Sequence, residues 1–146
     1  MTVLISCSSC SYERNRHVED VVRAAEVRFR TQLNERKFHE IYEGADVQFR
    51  QRISEAEAIR QFEDVVNQLG QVDTSASVFI DETVGKAIRR RMNLGEIVPY
   101  SSLLGGVSAI GVEDSSWMVT NDEARLADFH YKFLCKKPCT IAFGQK

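Results

Sequence analysis

An α+β fold, with N-terminal helices packed on an antiparallel sheet, is predicted for this 146-residue chain by three observations. Apolar residues recur at spacings of three and four as far as Gly70. Glycines and a proline then interrupt the middle of the chain. Near the end, from Arg125, apolar and polar residues alternate with period two. The first period is that of a helix, the last that of a half-buried strand. Helical and strand segments that are segregated along a chain point to α+β architecture.

The helical part divides at its own punctuation. Val18, Val22, Ala25, Phe29 and Leu33 form one stripe, which predicts a first helix over 17–35, with Asn34-Glu35-Arg36 as its exit. Phe38, Ile41, Tyr42 and Ala45 give a second, short helix that ends near Gly44. In DVQFRQRIS, Val47, Phe49 and Ile53 are expected to point inward. Ser54 and Glu57 fit a capping box. The helix they open runs to Leu69 and buries Ala58, Phe62, Val65, Val66 and Leu69, with Gly70 suited to a left-handed exit.

Beyond Gly70, Ser77–Ile80 reads as a short strand and Glu82–Met92 has helical composition. Ile97–Tyr100, Gly106–Val112 and Ser116–Thr120 are further strand candidates, with Glu113-Asp114-Ser115 as a turn. Over Arg125–Cys135 one face carries Ala127, Phe129, Tyr131, Phe133 and Cys135, and the other Leu126, Asp128, His130, Lys132 and Leu134. Lys136-Lys137-Pro138 turns the chain, and Cys139–Phe143 returns as partner strand. Pairing Cys135 with Cys139 sets Phe133 opposite Ile141 and Tyr131 opposite Phe143, all on one face.

Composition bounds function without naming it. Ten Lys/Arg stand against twelve Asp/Glu in the first 70 residues, and nine against nine in the rest. Neither half carries the basic excess of a nucleic-acid binder. Arg89, Arg90 and Arg91 form one local basic cluster, read as a solvated helix face. No stretch approaches the ~18 apolar residues of a membrane span.

The four cysteines fall as Cys7-x-x-Cys10 and Cys135-x-x-x-Cys139. A four-thiolate zinc site, disulfides and unrelated thiols compete as explanations. The hairpin register favours a Cys135–Cys139 bridge, since directly opposed strand residues can come close enough for one. Two buried thiols packing as small hydrophobes are the plainer alternative. For Cys7 and Cys10, a thioredoxin-like site needs a preceding strand and a following helix, and no strand precedes them.

The segment VRAAEVRFRTQLNERKFHEIYEGADVQFRQRISEAEAIRQFEDVVNQLGQV resembles the helical half of small bacterial proteins of the NTF2-like (cystatin-like α+β) superfamily. The resemblance lies in Lys37–Tyr42, in Ala45 through Phe62, and in the close at Leu69-Gly70, and it extends to the strand ARLADFHYKF and the return to CTIAF. It implies a strongly bent sheet wrapping long helices into a cone over residues 17–146. Residues 1–16, with the small polar run SCSSCS, are expected to be a disordered leader or tether. Many such relatives are exported proteins or lipoproteins without assigned activity, while others in the superfamily are isomerases, dehydratases or transport factors. Fold and function are therefore separate questions.

Leu4-Ile5-Ser6-Cys7 is similar to a bacterial lipobox, with Ser8 to Arg16 as the polar tether. Cys7 is then the lipidated residue, and the cell envelope or the periplasmic side of a bacterial membrane the expected location. A cytoplasmic location is the alternative.

An enzyme of this fold needs an acid or His facing a pocket beside a Tyr. Asp128 and His130 are the catalytic candidates, on the face opposite the aromatic stripe, so the plainer expectation is an exposed pair. His39 sits among helix carboxylates. Tyr42, Trp117 and Tyr131 are candidate pocket residues. No nucleophile elbow, phosphate loop or metal-ligand spacing occurs, so neither a cofactor nor a metal is expected. The chain is expected to be a non-catalytic domain that binds a protein partner or a small ligand, exported and tethered to a membrane only through a lipid. A pocket acid/base enzyme of isomerase or lyase type and a cytosolic homodimeric interaction module are the alternatives. No nucleic-acid partner is expected.

Overall fold

The computed structural model describes residues 8–74, 78–79, 91–92 and 95–139. These residues are α+β: among them, four helices pack on an antiparallel sheet with three long strands. The helices are α1 (Ser8–Asn34), α2 (Phe38–Gly44), α3 (Val47–Arg52) and α4 (Glu55–Leu69). The strands are β1 (Val78–Phe79), β2 (Arg91–Met92), β3 (Gly95–Gly105), β4 (Ala109–Thr120) and β5 (Glu123–Lys136). The sheet order is β1-β3-β4-β5, and β2 also pairs with β3.

α1 begins at Ser8, well before the residue 17 that the stripe predicts. Neither glycine nor proline lies between Ser8 and His17, and Glu13, Arg14 and Arg16 are good helix formers, so nothing halts the helix earlier. Val22, Ala25, Phe29 and Leu33 are buried as the stripe requires. The exit is at Asn34, followed by Arg36 in the left-handed region at φ 55°. The Asn34 side chain closes a two-bond clasp on the segment after α4. Its Nδ2 donates to the Val72 carbonyl at 2.8 Å, and its Oδ1 accepts from the Val72 N–H at 2.7 Å.

DVQFRQRIS is a helix. Asp46 caps it by accepting from the Gln48 N–H at 2.9 Å. Phe49 is buried and Ile53 packs against the core, a spacing of four, whereas Val47 is 53% exposed. Val47 was expected inward, and helical period turns it out. Ser54 caps α4, its Oγ accepting from the Glu57 N–H at 3.3 Å. Gly70 ends that helix at φ 73°, donating its N–H to the Val66 carbonyl at 2.8 Å.

Three short strands were expected in the middle of the chain, and two long ones form there. β4 runs unbroken through Glu113-Asp114-Ser115, which the sequence suggested as a turn. Val78–Phe79 pairs with Ser101–Ser102. Arg91–Met92, expected at the end of a helix, pairs with Gly95–Glu96. The remainder of Glu82–Met92 lies outside the described residues, as do Met1–Cys7 and the Cys139–Phe143 partner strand beyond Cys139.

β5 departs from simple alternation. Trp117 pairs with Leu126 but Ser116 with Asp128, so Ala127 is a bulge residue. Ahead of it Ala124 and Leu126 face the helices, and after it Phe129 and Tyr131 do. Leu126, expected on the polar face, is therefore core. The bulge also leaves carbonyls for α3. Leu126 O accepts from the Asp46 N–H at 2.8 Å, and Ala127 O accepts from Arg52. A disulfide joins Cys135 to Cys139, with Cα atoms 6.2 Å apart.

The core lies between α1, α4 and the helix-facing side of the sheet. Phe29 meets Phe62, Trp117 and Phe129 edge-on, at centroid separations of 5.9, 6.1 and 5.3 Å. Close approach fixes two glycines. A methyl at Gly106 would overlap the Leu69 backbone, and one at Gly111 would overlap the Tyr131 ring.

Candidate functional site

Helix period places Glu26 and Arg30 one residue behind Ala25 and Phe29, on the flank of the buried stripe. Strand period places Glu113 between Gly111 and Ser115 on the helix-facing side of β4. These three side chains meet in the interior. Their residues are 3%, 1% and 0% exposed, which makes them the most deeply buried charges among the described residues. Arg30 Nε donates to Glu26 Oε1 at 2.9 Å, Nη2 lies 3.4 Å from Glu113 Oε2, and Nη1 lies 3.3 Å from the Asp73 carbonyl oxygen. Tyr100, on β3 opposite Ser115, is also buried, and its electrostatic neighbours are Glu26, Arg30 and Glu113.

Two carboxylates thus face one guanidinium in the interior. Burial pushes the Glu113 carboxyl well above the usual carboxylate range. The Glu26 charge and a hydrogen bond with Glu26 add to the rise, against the pull of Arg30 and the Ser115 hydroxyl. Burial and the Glu26 charge also raise the Tyr100 phenol. Among the described residues, no donor reaches Glu26 Oε2 or Glu113 Oε1, and the Tyr100 hydroxyl has no hydrogen-bond partner. Native interiors hold few such groups, and each calls for an explanation.

The residues singled out in the sequence are not brought together at this centre. Asp128 and His130 sit on the opposite face of the sheet. His130 Nε2 lies 3.4 Å from Asp128 Oδ2, and Asp128 Oδ1 lies 3.3 Å from the Arg52 guanidinium. His130 is exposed. Tyr42 packs at the core edge and donates its hydroxyl proton to the Ile53 carbonyl at 3.1 Å. Trp117 is core, its Nε1 donating to Ser115 Oγ at 3.1 Å. His39 contacts Glu55, whose hydrogen bond and charge raise the imidazole. Cys7 lies outside the described residues.

Tyr131 lies over Gly111 and reaches a groove. That groove, of about 330 Å3, runs between α4 and the outer half of β5 and is lined by Gln61, Asp64, Gln68, Phe129, His130, Tyr131 and Phe133. Phe133 is 40% exposed there. A second hollow of about 380 Å3 lies between the end of α1 and the β3–β4 turn and includes Asn34, Asp73 and Lys137. Neither is lined by Glu26, Glu113 or Tyr100.

The buried centre left traces in the sequence. Glu26 and Arg30 are an i,i+4 pair touching the apolar stripe, and Glu113 falls in the period-two run Ala109, Gly111, Glu113, Ser115, Trp117, Val119. Among the described residues no group of three or more His, Cys, Asp or Glu could hold a metal ion. Among them, too, no helix is long and apolar enough to cross a membrane. Neither family models, nor curated proteins, nor solved structures give a match to this chain.

Proposed function

We propose that this chain is a non-catalytic, NTF2-like binding domain of the bacterial cell envelope that engages a protein partner through the groove between α4 and β5. The groove carries the proposal. It joins the Gln61 and Gln68 amides and the Asp64 carboxylate to the faces of Tyr131 and the half-exposed Phe133. Amides that can donate and accept, set beside aromatic faces, suit a peptide surface. The arrangement of helices over an antiparallel sheet supports the NTF2-like assignment, in which β3, β4 and β5 would form the cone. The Cys135–Cys139 disulfide supports an oxidising compartment, and with it export. A lipid on Cys7 would tether the domain to the membrane.

The acid/base enzyme is the second reading. Asp128 and His130 lend it little, since they face away from the core, but the buried Glu113 has the displaced carboxyl that proton-transfer chemistry uses. Self-association through the outer sheet face is the third.

A photo-crosslinking residue at Gln68 in the full chain, expressed in its native cell, tests the proposal. A discrete adduct to another protein is expected, lost when Phe133 and Tyr131 are both replaced by Ala and absent with the crosslinker at Glu40. An adduct only between copies of the chain supports the interaction module instead. No adduct at Gln68 overturns the proposal.

A further inference from the structure

The interior cluster has an unbalanced set of hydrogen-bonding atoms. Arg30 supplies donors to both carboxylates and to the Asp73 carbonyl, yet one oxygen of each carboxylate remains without a donor. Both carboxyl groups sit on one guanidinium, Glu26 at Nε and Glu113 at Nη2, which makes them neighbours. Two ionised carboxylates cannot bond to one another, because both only accept. They also leave the cluster with two negative charges against one positive. Neither hollow described above is lined by these side chains. The ligand that needs no volume is a proton.

We infer that Glu26 and Glu113 form a proton-binding site, holding one shared hydrogen between them and so clasping α1 to β4. With that hydrogen in place, both orphaned acceptors enter one hydrogen bond and the charges of the three side chains sum to zero. The described residues around the pair come from several elements. α1 contributes Arg30, β3 contributes the Tyr100 phenol, on which Arg23 also acts, and β4 contributes Ser115. The segment after α4 contributes the Asp73 carbonyl, and β5 brings Tyr131 opposite Glu113 in the ladder. Tyr100 belongs to the same environment: its buried hydroxyl has no partner among the described residues, and the charges of Glu26, Arg30 and Glu113 act on it. When the shared proton leaves, a second buried negative charge appears and the clasp between helix and strand opens.

The sign of the effect follows from which state holds the extra proton. The folded chain keeps a proton that the unfolded chain releases above about pH 4.3, the ordinary Glu value. The contribution is therefore complete below that pH and declines as pH rises toward the folded-state value, by up to tenfold in the folding equilibrium constant per pH unit. Urea unfolding of the full chain between pH 4 and pH 9, compared with Glu113→Gln and Glu26→Gln, reads this directly. Each variant is expected to lose the decline, and the double variant to lose no more than either alone. Infrared spectroscopy of the native chain at pH 7 supplies a test free of folding defects. A carboxylic-acid C=O band that shifts in D2O is expected, and it should be missing in Glu113→Gln. The absence of that band in the native chain overturns the inference, as does a decline of wild-type size in either variant.

Discussion

At the scale of single residues, Arg30 carries more than any other polar side chain described. It is held on three sides by Glu26, Glu113 and the Asp73 carbonyl. Removing one partner of a buried ionic set leaves uncompensated charge, which typically destabilises by about 3–5 kcal/mol. Arg30→Met should lose about that much in urea unfolding at pH 7. Glu113→Gln should lose far less there, since it removes the charge and keeps the shape. A loss in Arg30→Met below about 1 kcal/mol would show that the cluster is solvated in solution. These residues were only partly legible. The i,i+4 pair Glu26 and Arg30 looks like ordinary surface helix charge, and Glu113-Asp114-Ser115 looks like a turn. Arg30 and Glu113 are both buried because a partner more than 80 residues away in sequence accompanies the charge indoors. Sequence spacing does not display that pairing.

Elements were legible wherever one local signal sufficed. The stripes of α1 and α4 matched their buried faces, and Ser54 and Gly70 punctuated α4 where expected. Ser54→Ala should destabilise by about 1 kcal/mol, measured by thermal or urea unfolding, because it strands the Glu57 N–H. The two glycines Gly44 and Gly111 offer a sharper contrast. Space is open around Gly44 in α2, so Gly44→Ala should stabilise by about 0.5–1 kcal/mol through helix propensity. Gly111→Ala drives a methyl into the Tyr131 ring and should destabilise markedly. Equal effects in the two variants would contradict the Tyr131 placement. The β5 bulge was not legible. Strict alternation put Leu126 outside and Ala127 inside the core, and one inserted residue brought Leu126 in. The reason for the insertion is tertiary, since the bulge turns two carbonyls toward Asp46 and Arg52 on another element.

For the whole molecule, Phe62 joins the layers, touching Phe29 of α1, Phe38 of α2, Phe49 of α3 and Phe129 of β5. Phe62→Ala should cost about 3–5 kcal/mol and lower the single unfolding transition without splitting it. A second transition would mean that helices and sheet unfold separately. The α+β order was readable because helical and strand periods are segregated along the chain. The strand count was not, because β3 and β4 are held by their pairing with each other more than by period. The Asn34 clasp ties the end of α1 to Val72 by a donor and an acceptor on one amide. That arrangement depends on nitrogen. Deamidation to Asp would keep an acceptor for the Val72 N–H and set a carboxylate oxygen against the Val72 carbonyl. The joint between the first helix and the segment after α4 thus hangs on one amide nitrogen, and Asn34→Asp should loosen it there.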